Sequence, residues 1–329
     1  MNRRRFVLLA SARQFRLVSE RSSRMKTSIT ISDLQNSIIS VPPLCRDADL
    51  KSNAAENAKL VRHIEAGGVS TLLYGGNANF YNIALSEYEE VVDQLEAAAA
   101  ADTLIVPSVG PYFGTAMDQA SILARKKFPT AMLLPTMAVS TPAGVRAAAL
   151  KIAEKLGRPI VLYIKDQGYV TLDVVKSLVD AGVISWIKYA VVRADPAQDD
   201  LLAGLVQTVD PNLIVSGIGE QPAIVHWTKF GVHAFTSGCV SVAPRRSQEM
   251  LRALQAGDLA KAEEIRVKFN LLEALRNAHG PIPVLHHATE QAGIAATGPA
   301  LPLMGDLDAA LQEKIGVAAR ELLVWNNAA

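Results

Sequence analysis

The chain has 329 residues, half of them apolar and a fifth charged, an ordinary globular composition that excludes intrinsic disorder as the main state. Basic and acidic side chains number 33 and 32, so net charge supplies no drive toward nucleic acid or an anionic membrane. No window reaches the roughly 18 apolar residues that a spanning helix needs.

The first 24 residues are a separate object. They hold seven arginines (Arg3, Arg4, Arg5, Arg13, Arg16, Arg21 and Arg24) against Glu20 alone, which leaves 26 basic and 31 acidic residues in the rest, a net of −5. The apolar run Phe6 to Ala10 is too short for an export signal. Residues 1–35 are expected to be a basic extension, disordered or a mis-assigned start with Met25 the true beginning. A signal or transit peptide and a functional basic arm are the alternatives.

From residue 36 the chain alternates β-branched runs with amphipathic stretches. In order, the patterns predict strand 38–41, helix 53–66, strand 69–74, helix 86–101, strand 103–107, helix 115–128, strand 131–134 and helix 142–156. Strand 159–164, helix 172–181, strand 186–189, helix 196–209, strand 213–216, helix 220–230 and strand 234–236 follow. Ser86 precedes Glu89 at capping-box spacing, and Thr141-Pro142 sets a cap before a first-turn proline. Gly67-Gly68, Gly157, Gly182 and Gly231 stand at helix ends. Beyond residue 245 only helical patterns remain, over 248–256, 259–277, 283–292 and 306–322.

Eight strands in β-α alternation predict one parallel α/β unit, a (β/α)8 TIM barrel over 36–244 with a C-terminal helical extension over 245–329. An open doubly wound sheet is the rival. It usually carries a Gly-rich loop after an early strand, and here Pro42-Pro43 stands there. The two cysteines, Cys45 and Cys239, form no metal-ligand pair or disulfide framework and suit a reducing cytoplasm. Buried inert thiols are favoured over a Cys239 nucleophile. The six histidines show no metal spacing, so no metal is expected.

Active residues of a barrel lie at the C-terminal ends of its strands. Lys188 sits inside the apolar run Ile184 to Ala190, and period-two alternation puts it on one face with Trp186. If that face is the interior, desolvation lowers the amine pKa and makes a nucleophile able to form a Schiff base with a ketone. Tyr163, one strand earlier, is placed to relay protons. The bland reading is a strand-end lysine reaching solvent, and from position alone the two are balanced. Lys165 is the alternative Schiff-base residue. Gly75-Gly76-Asn77 offers backbone amides and a side-chain donor to a carboxylate, against the simpler reading of a plain turn. Ser216 and Gly238 end strands seven and eight.

With these pieces in order, the chain resembles the dihydrodipicolinate synthase / N-acetylneuraminate lyase family of class I aldolases over roughly 36–305. Ser37 to Pro43 resembles the family's first strand, and Gly75-Gly76-Asn77 followed by Leu85-Ser86-Glu87 occupies the place of its G-T-T-G-E loop. Val161-Leu162-Tyr163 is similar to L-Y-N, and Trp186-Ile187-Lys188 to the G-I-K strand. Ser216-Gly217, Ser237-Gly238, Pro281 to Val284 and Leu301-Pro302-Leu303 fall in family order.

The resemblance implies a barrel lyase, usually a tetramer, that needs no cofactor. It implies a pyruvate-type 2-oxo acid held on Lys188, Tyr163 as proton shuttle, and Gly75, Gly76, Asn77, Ser216 and Gly238 as the substrate-binding set. The partners implied are a small-molecule substrate and other copies of the chain, with no nucleic acid and no membrane. Departures also stand out. Gly76 and Asn77 replace two threonines, Thr136-Met137 replaces a tyrosine pair, and no arginine follows Tyr163. They favour a sibling aldolase or dehydratase of sugar-derived 2-oxo acids over 4-hydroxy-tetrahydrodipicolinate synthase itself. A catalytically idle binding protein and a metal-dependent barrel lyase are further alternatives.

Overall fold

The computed structural model describes residues 25–328. In chain order its elements are α1 (Ile31–Asn36), β1 (Ile39–Ser40), α2 (Ala54–Ala66), β2 (Thr71–Tyr74), α3 (Leu85–Ala98), β3 (Leu104–Val109), α4 (Phe113–Leu123), β4 (Met132–Leu133) and α5 (Pro142–Leu156). Then come β5 (Ile160–Ile164), α6 (Leu172–Asp180), β6 (Ile184–Tyr189), α7 (Asp200–Thr208), β7 (Ile214–Ser216), α8 (Glu220–Phe230), β8 (Thr236–Ser237), α9 (Pro244–Gln255), α10 (Leu259–His279), α11 (Pro281–Gln291) and α12 (Ala309–Asn327).

Each strand pairs in parallel with its neighbour in sequence, and β1 pairs with both β2 and β8. A parallel bridge between Ser216 and Phe235 joins β7 to the residue preceding β8. The Ser216 amide donates to Ala234 O at 2.9 Å across the same seam. The eight strands therefore form a ring with helices outside it, the expected (β/α)8 barrel, and the open doubly wound sheet is excluded. Closure leaves no sheet edge unpaired, and it shields both strand faces, which is why the strands read as apolar runs.

Local chemistry sets the helix ends. Thr141 Oγ1 accepts from Gly144 N at 3.1 Å to start α5. Gly157 and Gly231, at φ 75° and 69°, end α5 and α8 in the left-handed region that side chains avoid. α3 starts two residues earlier than the Ser86 cap implied, with Glu87 reaching back to Ala84 N at 3.4 Å. Glu87 is also gripped by Arg46 through two bonds of 2.9 and 3.0 Å, which ties α3 to the loop after β1.

Two boundaries differ from expectation. Residues 25–35 belong to the fold: Met25 and Leu34 are buried, and α1 is held by Thr30 and Asp33. The basic segment 1–24 lies outside the described residues. α9 packs against both α2 and α8, so it completes the helix ring, and the extension proper is α10 to α12. α10 lies against α8 and α9 and carries the chain back toward the mouth of the ring.

Candidate active site

The side chains gather at the C-terminal mouth because of one extra residue. β5 and β6 pair Ile160 with Ile184, but Val161 with Trp186. Ser185 is the inserted position, a bulge that shifts all later pairings by one. After it, Tyr163 stands directly beside Lys188 in the ladder, so the two project from the same face. The opposite parity carries Tyr189, whose hydroxyl donates to Asp199 at 2.7 to 2.8 Å outside the ring. Lys188 consequently points inward.

Lys188 is 4 % exposed. Its Nζ lies 4.6 Å from the centroid of the Tyr163 ring, within cation–π range. Burial, with Arg276 and Lys165 adding like-charge repulsion, pulls its pKa down from 10.5 to about 7. Burial, and behind it the negative charge of Asp166, pushes the Tyr163 phenol up, against a smaller opposing pull from Arg276. The phenol therefore stays protonated at neutral pH and can donate. Gly217 makes the space for the lysine stem, since a Cβ there would come 3.0 Å from Lys188 Cγ.

A cavity of about 260 Å³ opens onto the amine, and Tyr163, Lys188, Asn77 and Gly238 line it together with Lys165 and Arg276. Asn77 Nδ2 donates to Val41 O at 2.9 Å, which pins the β2–α3 turn over the mouth. In that turn the amides of Gly76, Asn77 and Ala78 donate to no backbone carbonyl among the described residues. A Cβ at Gly238 would meet Leu285 Cδ1 at 2.4 Å and Asn77 Nδ2 at 2.9 Å, so both side chains would have to move to admit one.

Three expected binding positions lie off this cavity. Ser216 points outward, its Oγ 2.8 Å from His226 Nδ1 in α8, and Gly217 takes the inward place. The reason is parity, because Ser216 pairs with the outward-facing Tyr189. Gly75 faces the ring interior below the cavity, where a Cβ would sit 2.5 Å from Met132 Cε. Gly76 abuts the Tyr81 ring, 3.6 Å from where its Cβ would be. Of the aromatic pair Phe80-Tyr81, Phe80 is buried edge-on against Tyr88. Tyr81 borders the mouth, 6.0 Å from the Lys165 ammonium. Both thiols are buried, and burial pushes Cys45 up to about 12 and Cys239 well above its ordinary value, so neither is a poised nucleophile.

Arg276 of α10 is the functional candidate that strand-end reading missed. It is 7 % exposed. Its Nη2 donates to Ile218 O at 2.5 Å and to Asn277 Oδ1 at 3.0 Å. Behind it lies an acid pair. Glu220 accepts from Ser237 and Ser247, and Glu273 accepts from Glu220 N at 3.0 Å. Burial raises both carboxyls, and for Glu273 the neighbouring Glu220 adds to the rise. Gly219, at φ 120°, admits this arrangement, as a Cβ would strike Glu273 Oε1 at 2.1 Å.

Comparison with known proteins agrees with this fold. The Dihydrodipicolinate synthetase family model matches residues 37–321. The 4-hydroxy-tetrahydrodipicolinate synthase of Dechloromonas aromatica (strain RCB) is 26 % identical over 287 residues, covering 85 % of this chain and 95 % of that protein. The crystal structure of dihydrodipicolinate synthase from Bacillus clausii superposes with a TM-score of 0.76 at 23 % identity, over 90 % of this chain and 99 % of that one. The prophage protein YagE of E. coli K12, in complex with pyruvate, gives 0.75 at 17 % identity, over 87 % and 98 %. The chain belongs to the dihydrodipicolinate synthetase family and is a lyase of the class I aldolase type.

Proposed function

We propose that the chain is a Schiff-base lyase that takes a pyruvate-type 2-oxo acid onto Lys188. The observation that carries this reading is the desolvated amine, with its pKa near 7, against Tyr163 in a closed ring. Neutral Nζ adds to the ketone carbon, and the carbinolamine loses water to give an iminium. The iminium accepts the electron pair when the bond between C3 and C4 breaks, leaving an enamine and an aldehyde. Alternatively, C3 loses a proton and the enamine expels a hydroxyl from C4 as water. Tyr163 carries the proton to and from these centres. The amide of Asn77, which lines the cavity and donates to no backbone carbonyl among the described residues, orients the carboxylate. Pyruvate bound to YagE is consistent with such a substrate.

Borohydride reduction with pyruvate, followed by peptide mass spectrometry, tests the step. The expected result is a reduced adduct on Lys188. An adduct on Lys165, or none across several 2-oxo acids, refutes it.

The reaction proposed is that of a sibling aldolase or dehydratase of sugar-derived 2-oxo acids. Arg276, supplied by α10, and Lys165 border the cavity, and no arginine stands in the loop that follows Tyr163. The synthase activity itself is the second reading, favoured by the name of the Dechloromonas relative. Formation of 4-hydroxy-tetrahydrodipicolinate in a purified assay decides for it. We also propose a homo-oligomer, dimer or tetramer. Tyr112, Phe113 and Val139 are exposed around one groove of about 750 Å³, a clustering typical of covered surfaces. Light scattering is expected to give a mass at least twice 35.2 kDa, and a monomer at micromolar concentration contradicts it.

A further inference from the structure

Two side chains of α10 grip the backbone of the turn between β7 and α8, one on each side of Gly219. Arg276 Nη2 donates to Ile218 O at 2.5 Å, and Glu273 Oε1 accepts from Glu220 N at 3.0 Å. The near end of the same turn supports the lysine. Gly217 N donates to Tyr189 O at 2.6 Å, and a Cβ at Gly217 would come 3.0 Å from Lys188 Cγ. We propose that Glu273 and Arg276 are positioning residues, a clamp by which α10 fixes the 217–220 turn and, through it, the Lys188 stem in the orientation from which the amine attacks the ketone. The clamp acts through its two hydrogen bonds rather than through charge. It deepens the Schiff-base reading above and rests on it.

Each half of the clamp meets a need of the turn. Glu220 N is the first amide of α8, and the cap position is Gly219, which has no side chain to accept from the opening amides. Glu273 supplies an acceptor from another helix, and its Oε1 can do so with the carboxyl ionised or protonated. Gly219 stands at φ 120° and ψ −161°, a region held only where the surroundings dictate it. Bonds to the carbonyl before it and the amide after it do so. The Glu220 side chain is fastened as well, by Ser237 of β8 and Ser247 of α9 at 2.8 and 2.5 Å. The alternative role is simply to dock α10, but the stripe of Ala262, Ile265, Phe269 and Leu272 already buries that helix. Glu273 and Arg276 are an expensive addition to it. Glu273 Oε2 is buried with no hydrogen-bond partner among the described residues. The ion pair between Glu273 Oε1 and Arg276 Nη2 spans 3.9 Å, beyond hydrogen-bond length. Apolar side chains would dock the helix without that desolvation.

The rate of imine formation from pyruvate tests this, with timed samples of the full chain quenched into borohydride and Tm measured on each variant. Rates are read on the high-pH plateau, where the amine is neutral and charge at the mouth does not enter. Glu273→Leu and Arg276→Met are each expected to lower the saturating rate about tenfold, the scale of a small misplacement of a reacting group. The half-saturating pyruvate concentration is expected to change by less than about twofold, since pyruvate binding is left alone. Glu273→Gln keeps the acceptor and Arg276→Lys keeps a donor, so each is expected to recover the rate to within about threefold of wild type. Wild-type rates with a lowered Tm in the Leu and Met variants reduce the contacts to docking of α10 and overturn the clamp alone. Equal losses in Glu273→Gln and Glu273→Leu overturn it too, because charge would then be the cause. A loss in Arg276→Met confined to low pyruvate makes the arginine a binding group and also overturns it. No adduct in any sample, wild type included, refutes the Schiff base, and the clamp falls with it. If Glu273→Leu does not fold, the Arg276 pair decides, since that side chain borders the open cavity.

Discussion

Lys188→Met is expected to abolish borohydride trapping, lower turnover by a factor of about 10³ or more, and raise thermal stability. The two effects have one cause. In the unfolded chain the lysine titrates at about 10.4, and in the folded protein at about 7. Between these values the unfolded state binds the extra proton, so unfolding free energy rises with pH across that window. Below about pH 7 the full cost of the buried amine is present, on the order of several kcal/mol. Methionine keeps the length and removes the charge. Calorimetry at pH 6, 8 and 10 is expected to give a gain in Tm that is largest at pH 6 and fades toward pH 10. An unchanged or lowered Tm at pH 6 means that the amine is not desolvated. In the wild type, trapping is expected to rise with pH through about 7 rather than about 10.

Tyr163→Phe separates proton transfer from capture of the ketone. The ring remains, and with it the contact to Lys188 at 4.6 Å; only the hydroxyl is lost. The expected result is turnover lower by about 10² to 10⁴, the usual weight of a positioned acid–base group. The trapped adduct should persist and KM should change little. Loss of the adduct together with turnover assigns the phenol a role in shaping the cavity. A drop of less than about fivefold removes it from the proton path.

The barrel was legible because its punctuation is local. Thr141-Pro142, Gly157 and Gly231 fix the ends of α5 and α8 through caps and left-handed turns that depend on a few neighbouring residues. α1 was not legible: a six-residue helix with one buried side chain, Leu34, has no periodicity to read. The inward direction of Lys188 could be read as one of two alternatives. What places Tyr163 beside it is the bulge at Ser185, which leaves no mark in the alternation. The same ladder explains Ser216, whose partner Tyr189 faces outward. Arg276 had a weaker sign. Glu273 and Arg276 interrupt the stripe of α10 that buries Ile265, Phe269 and Leu272, and charges on a core-facing stripe mark a built site or a counterion pair.

Lys188 belongs to β6 and Arg276 to α10. The proposed nucleophile and the guanidinium that lines the same cavity are thus encoded in separate stretches of chain. Rewriting one turn of α10 changes the charge over the mouth without disturbing any rung of the ring. On the function proposed above, the charge at the mouth can therefore be retuned apart from the amine on the strand.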